Sequence, residues 1–167
     1  MSGNNEIKKM KETLESHEKR IISLEEKFHG SEGKEVTFPR VEPSIEKFSE
    51  KIGVSTERLK ELFDVENSIL TLLKVTGKDE AEKTKRISLV VLMGYKYLFG
   101  NEKVLSKDIR RNVAENRIPV NNFATYLNET IPSLIRRIGK SKSPMTTYKL
   151  TPLGEAEAKE MIKELCK

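Results

Sequence analysis

From Ile7 onward the chain carries Ile7, Met10, Leu14, Ile21, Leu24 and Phe28, with His17 standing in the same series, at alternating spacings of three and four. That spacing is the a/d seam of a coiled coil. The intervening positions are mostly Glu and Lys, good helix formers that keep the remaining surface wet. A helix of about 22 residues reaches about 33 Å and leaves its apolar stripe in water unless another helix covers it. Homodimerisation through Ile7, Met10, Leu14, His17, Ile21, Leu24 and Phe28 is the first expectation. Docking on the chain's own body and pairing with a different protein are the other two. Residues 1–29 are therefore predicted to form a coiled-coil helix. Residues 30–43, with Gly30, Gly33, Pro39 and Pro43, are a linker in which Val36, Phe38 and Val41 form a short extended segment.

Residues 44–79 predict three short amphipathic helices. Ser44 caps the first, with Ile45, Phe48 and Ile52 inward and Gly53 at its end. Ser55 caps the second, whose stripe is Leu59, Leu62 and Phe63. The third holds Val65, Ile69, Leu72, Leu73 and Val75 and stops at Gly77. The Gly53–Leu59 run has the outline of a helix-turn-helix turn, but its surroundings are net acidic, which assigns it to structure.

The pattern changes from Glu80. A long helix from Glu82 to Phe99 is apolar around most of its circumference, as a core helix is, and Gly94 within it predicts a close crossing by another helix. Val104-Leu105 predicts a short edge strand and Ser106 a cap for a helix with Ile109, Val113 and Ala114 inward. A further helix from Val120 to Ile131 buries Phe123, Ala124, Leu127 and Ile131 and turns Asn121, Asn122, Thr125, Asn128 and Glu129 outward, until Pro132 ends it. Residues 134–140 and 145–151 read as two strands around a basic Ser141-Lys142-Ser143-Pro144 turn. Thr151 caps the last helix, Pro152 takes its first position, and Leu153, Ala156, Met161, Ile162 and Leu165 form its stripe. The fold class is mainly α with a small β hairpin.

Tyr148-Lys149-Leu150-Thr151-Pro152-Leu153-Gly154 resembles the Y-x-L-T-x-x-G end of the wing strand in many archaeal and bacterial winged helix-turn-helix regulators. The resemblance covers residues 84–165, within a domain of residues 80–167, preceded by the short helical region and the coiled coil. It implies a recognition helix at 120–131 in the major groove and a wing around 140–145 at the phosphates or minor groove. This chain departs from many relatives in having no basic residue in that helix, so Arg110, Arg111, Arg117, Arg136, Arg137, Lys140, Lys142 and Lys149 have to bracket the nucleic acid. Asn121, Asn122, Thr125 and Asn128 are the candidates for base contact, because an Asn amide matches the N6/N7 edge of adenine.

Charge agrees with that reading. The 167 residues carry a formal net charge of +5, yet residues 1–43 and 44–79 each sum to −1. Residues 80–167 hold 17 basic and 10 acidic side chains, and residues 104–149 alone hold 9 and 3, a surplus that attracts a polyanion. One cysteine and two histidines exclude a disulfide scaffold and a structural zinc site. The longest apolar run, residues 89–94, is too short for a membrane span, and the charged start is unlike a signal peptide, so a cytoplasmic or nucleoid location is expected. Nucleotide-loop, zinc-protease and catalytic-triad patterns are absent from the sequence, so neither an enzyme nor a cofactor is expected. The expected function is that of a dimeric, duplex-DNA-binding transcriptional regulator or chromatin-associated factor. Protein assembly through the winged helix and coiled coil, or RNA binding, are the alternatives.

Overall fold

The computed structural model describes residues 44–140, Ser143 and 145–167. The predicted coiled-coil positions Ile7 to Phe28, the linker segment Val36–Val41, and Lys142 lie outside the described residues.

Helix α1, Ile45–Ile52, and helix α2, Thr56–Leu62, form where the sequence places them. Phe48, Ile52, Leu59 and Leu62 are fully buried. Gly53 at φ 76° ends α1 in the left-handed conformation that a residue without Cβ adopts freely. Ser55 caps α2, its side chain accepting from the Arg58 amide.

The third predicted helix is instead a hairpin. Strand β1, Phe63–Glu66, pairs antiparallel with β2, Ile69–Leu72, with Glu66 opposite Ile69. The two residues between them, Asn67 at φ 49° and Ser68 at φ 63°, both take positive φ, as a two-residue hairpin turn of matching twist requires. The buried residues of the hairpin are Phe63, Leu70 and Leu72, and Leu70 and Leu72 keep strand period rather than helix period. The exposed Ile69 and Leu73 of the supposed helical stripe point the other way.

Helix α3, Glu80–Phe99, is the central element, with Asp79 as its cap and twelve buried residues. Gly94 does mark a close approach, but to the hairpin rather than to a helix: a Cβ there would lie 2.6 Å from Leu70 Cδ2. Strand β3, Val104–Leu105, leads into α4, Ser106–Glu115. Ser106 is the first residue of that helix, not its cap, and Ala114 is exposed while Asn112 is buried beside Ile109 and Val113. After Arg117 and Pro119, a 3₁₀ turn over Val120–Asn122 leads to helix α5, Phe123–Asn128. This is shorter than the predicted 120–131 helix, because the Thr130 hydroxyl donates to the Leu127 carbonyl at 2.6 Å and turns the chain before Pro132.

Strands β4, Ile135–Ile138, and β5, Thr147–Leu150, join β3 in a sheet ordered β3-β5-β4. Helix α6, Pro152–Leu165, packs back along α3. Thr151 caps it, and Pro152 takes its first position, as the sequence indicates. Its buried stripe is Gly154, Ala158, Ile162 and Leu165. Ala156 is exposed and Leu153 is 62% exposed, so the predicted phase is corrected by about one position over the first two turns. The reason is the tight seat of Gly154 on β4, which turns position 154 inward.

Candidate nucleic-acid interface

The site begins with α5. Fully buried Phe123 packs edge-on against Tyr148 of β5, with ring centroids 6.3 Å apart, and Leu127 is buried one turn on. With that face fixed, Asn121, Asn122, Thr125 and Asn128 are all exposed, along with Glu129. Thr125 and Asn128, at i and i+3, share one face of α5, and Asn121 is exposed in the 3₁₀ turn before it. Asn122 occupies the cap position but makes no capping bond, and its Nδ2 donates to the Tyr126 hydroxyl at 3.3 Å. Tyr126 was not among the sequence candidates, although its spacing of four from Asn122 is the signal that finds it.

The structure separates the basic candidates into distinct groups. Arg110 is a positioning residue: its Nη1 donates to the Val120 carbonyl at 3.3 Å, and its guanidinium lies 4.5 Å from the centroid of Phe123. It clamps the entry to α5 and stacks on its anchor ring, an arrangement suited to a planar cation. Arg111 points elsewhere, pairing with Asp108 at 3.3 Å and donating to the Tyr95 hydroxyl at 3.1 Å. Arg117 is exposed at φ 59° in the turn before the 3₁₀ segment.

Strand register divides the others. Ile135 stands opposite Leu150, Arg136 opposite Lys149, and Arg137 opposite Tyr148. Directly opposed residues of an antiparallel pair share a face, and successive residues alternate. Arg137 therefore lies on the face that Tyr148 turns toward Phe123, beside α5. Arg136 and Lys149 lie on the other face. Lys140 follows Gly139, which at φ 100° turns the chain out of β4, and Lys140 is exposed while its carbonyl accepts from Thr146 Oγ1 at 2.6 Å. Lys107 is a further cation not singled out in the sequence. It is exposed one residue after Ser106, whose amide donates to Thr146 at 2.8 Å and ties the start of α4 to the base of the wing.

The exposed groups of this region are the polar set Asn121, Asn122, Thr125 and Asn128 and the cations Arg117, Arg137, Lys140 and Lys107. These groups can donate to phosphate oxygens and to base edges. Elsewhere Glu155 accepts from both Lys96 and Tyr97, and burial together with that carboxylate pushes the Tyr97 hydroxyl up to about 12, a tie between α3 and α6. Burial also pushes the Cys166 thiol up, away from the thiolate a nucleophile needs. Among the described residues no cluster of three or more His, Cys, Asp or Glu is placed to hold a metal, and no helix is long and apolar enough to cross a membrane.

Comparison of the chain with protein-family models, with curated proteins and with solved structures finds no significant match.

Proposed function

We propose that residues 80–167 form a winged helix-turn-helix domain that binds duplex DNA, with α5 in the major groove and the loop between β4 and β5 as the wing. The observation that carries this reading is the exposed Asn121, Asn122, Thr125 and Asn128 set on a segment whose opposite face Phe123 fixes against Tyr148, with Arg117, Arg137 and Lys140 also exposed. The order α3-β3-α4-α5-β4-β5-α6, with the sheet order β3-β5-β4, supports it. The chain acts as a dimeric transcriptional regulator or chromatin-associated factor. The lack of a basic residue on α5, together with exposed Glu129, favours protein binding as the second reading.

The test has two arms on the full chain, each titrated against a random and a selected duplex at several salt concentrations. Replacing Arg137 and Lys140 by Gln weakens both duplexes alike and lowers the slope of log K against log salt by about 1.8, about 0.9 for each lost phosphate contact. The melting temperature stays fixed, since both side chains are exposed. Asn122→Ala with Thr125→Ala lowers affinity for the selected duplex about tenfold or more and leaves the random one nearly unchanged, the mark of base readout. Unchanged affinity in both arms removes DNA from this face.

Dimerisation is proposed through the seam from Ile7 to Phe28. Leu14→Lys with Ile21→Lys places cations in two of its apolar layers, and sedimentation equilibrium at micromolar concentration should then give the monomer mass. An unchanged dimer mass would assign association to another surface.

A further inference from the structure

The outer face of the three-stranded sheet, the side away from Tyr148 and Phe123, has a charge pattern that the α5 surface does not use. Arg136 of β4 and Lys149 of β5 stand directly opposite one another on it. On the other side of β5, Val104 pairs with Tyr148 and Leu105 with Thr147. Lys103, exposed in the bend one residue before β3, enters the sheet at the end where Lys149 stands. Three cations from three chain segments, Lys103, Lys149 and Arg136, thus gather at one end of the sheet, and Lys149 and Arg136 are paired across strands about 4.8 Å apart. Like charges directly opposed across a sheet repel.

None of the three lies within 4 Å of a carboxylate among the described residues. Lys149 lines a cleft of about 190 Å³ with Leu92, Lys96, Glu102 and Glu155. In that cleft Glu155 is already engaged by Lys96 at 2.6 Å and by Tyr97. Glu102 is the one carboxylate of the cleft left over, against the three cations. The next residues on the same face are Leu105, Thr147 and Ile138, all half-buried and uncharged, so the cations end on a neutral sheet surface.

The geometry points to a second phosphate-binding surface on the outer face of the sheet, which takes the backbone of a second DNA segment while α5 holds the first. Arg136 and Lys103 are exposed to either side of Lys149, so the cations extend beyond the small cleft that Lys149 lines rather than enclosing a small anion. An extended polyanion fits this arrangement, and the anion's charge removes the cross-strand repulsion. Such a surface reads no bases, because its donors are mobile cations suited to phosphate and it offers no bidentate amide for a base edge. One body then joins two duplex segments, the task of a chromatin-associated factor. The inference rests on the DNA-binding reading given above.

The full chain, held well above its dissociation constants, is titrated with a labelled 12-bp duplex, and the break point is read as duplexes per chain. The expected value is two for the unaltered chain and one for Lys103→Gln, Arg136→Gln, Lys149→Gln together. The slope of log K against log salt for the second site is about 2.7 and vanishes with that site. The triple variant melts at the same temperature or higher, since a group of like charges has been neutralised. Arg137→Gln with Lys140→Gln weakens the α5 site alone and leaves the affinity and salt slope of the outer-face site unchanged. A break at one duplex per chain in the unaltered chain, weakened by the Arg137 and Lys140 pair and untouched by the triple variant, overturns the second surface and leaves the α5 reading standing. A single duplex abolished by the triple variant alone supports the outer face and overturns the α5 reading instead. Two duplexes per chain in the triple variant overturn the second surface outright.

Discussion

Gly154→Ala is expected to destabilise the chain by about 3 kcal/mol or more and to lower its melting temperature by roughly 10 °C. A Cβ at this position would stand 1.9 Å from the Leu134 carbonyl oxygen and 2.8 Å from its carbon. Both obstacles are backbone, so no rotamer relieves them. The carbonyl is also committed, accepting from the Thr151 amide at 2.9 Å, while the Thr151 hydroxyl donates to the neighbouring Ser133 carbonyl at 2.6 Å. The same hydroxyl caps α6 through the Gly154 amide at 3.0 Å. Moving α6 away to admit a methyl group therefore breaks the cap and the bond to β4 together. Helix propensity pushes the opposite way, since alanine inside a helix is favoured over glycine by about 1 kcal/mol. The sign of the change in urea midpoint, at unchanged m-value, decides between the two. A variant as stable as the unaltered chain would refute the close approach.

The Thr151-Pro152 start of α6 was readable in the sequence. Cap and first-turn proline are local demands, and each names a residue type, whereas the close approach of Gly154 to Leu134 is a tertiary contact that the sequence, with Leu153 and Ala156 placed inward, did not show. The outward polar face of α5 was legible for a similarly local reason, because Phe123 and Leu127 leave Thr125 and Asn128 only one direction to face. The 63–72 hairpin was missed because short apolar runs fit helix and strand alike. What separates them is the Asn67-Ser68 turn, a weaker signal than Asn-Gly. The division of the cations into separate groups was not legible for another reason. Charge along the chain does not say which side of a strand a residue takes, so adjacent Arg136 and Arg137 fall on opposite faces. Nor does sequence show that Arg110 is held by Phe123 and the Val120 carbonyl, a contact that exists only once α4 and α5 have packed.

Asn112→Leu is expected to cost about 4 kcal/mol, although it replaces one buried side chain by another of similar size. Asn112 is fully buried on α4 and serves the edge of β2 as a neighbouring strand would. Its Oδ1 accepts from the Leu72 amide at 2.7 Å and its Nδ2 donates to the Leu70 carbonyl at 3.0 Å. One turn on, Asn116 donates to the Leu72 carbonyl at 3.0 Å, so the pair at i and i+4 closes an edge that no strand covers. Leucine leaves the Leu72 amide and the Leu70 carbonyl without partners in an apolar setting, and each such group costs about 1 to 3 kcal/mol. Asn112→Asp keeps the acceptor for Leu72 but turns a carboxylate oxygen toward the Leu70 and Asp108 carbonyls that Nδ2 now serves, so it is expected to be at least as damaging. Asn116→Ala, on a half-buried residue, is expected to lose about 1 kcal/mol. Urea denaturation supplies the ranking, and hydrogen exchange supplies the mechanism. In Asn112→Leu the Leu72 amide should exchange at least tenfold faster while the amides of α6 keep their protection relative to global unfolding. Equal stability of Asn112→Leu and the unaltered chain would mean that packing of Leu70 and Leu72 alone holds the hairpin, and that α4 carries Asn112 for some other purpose.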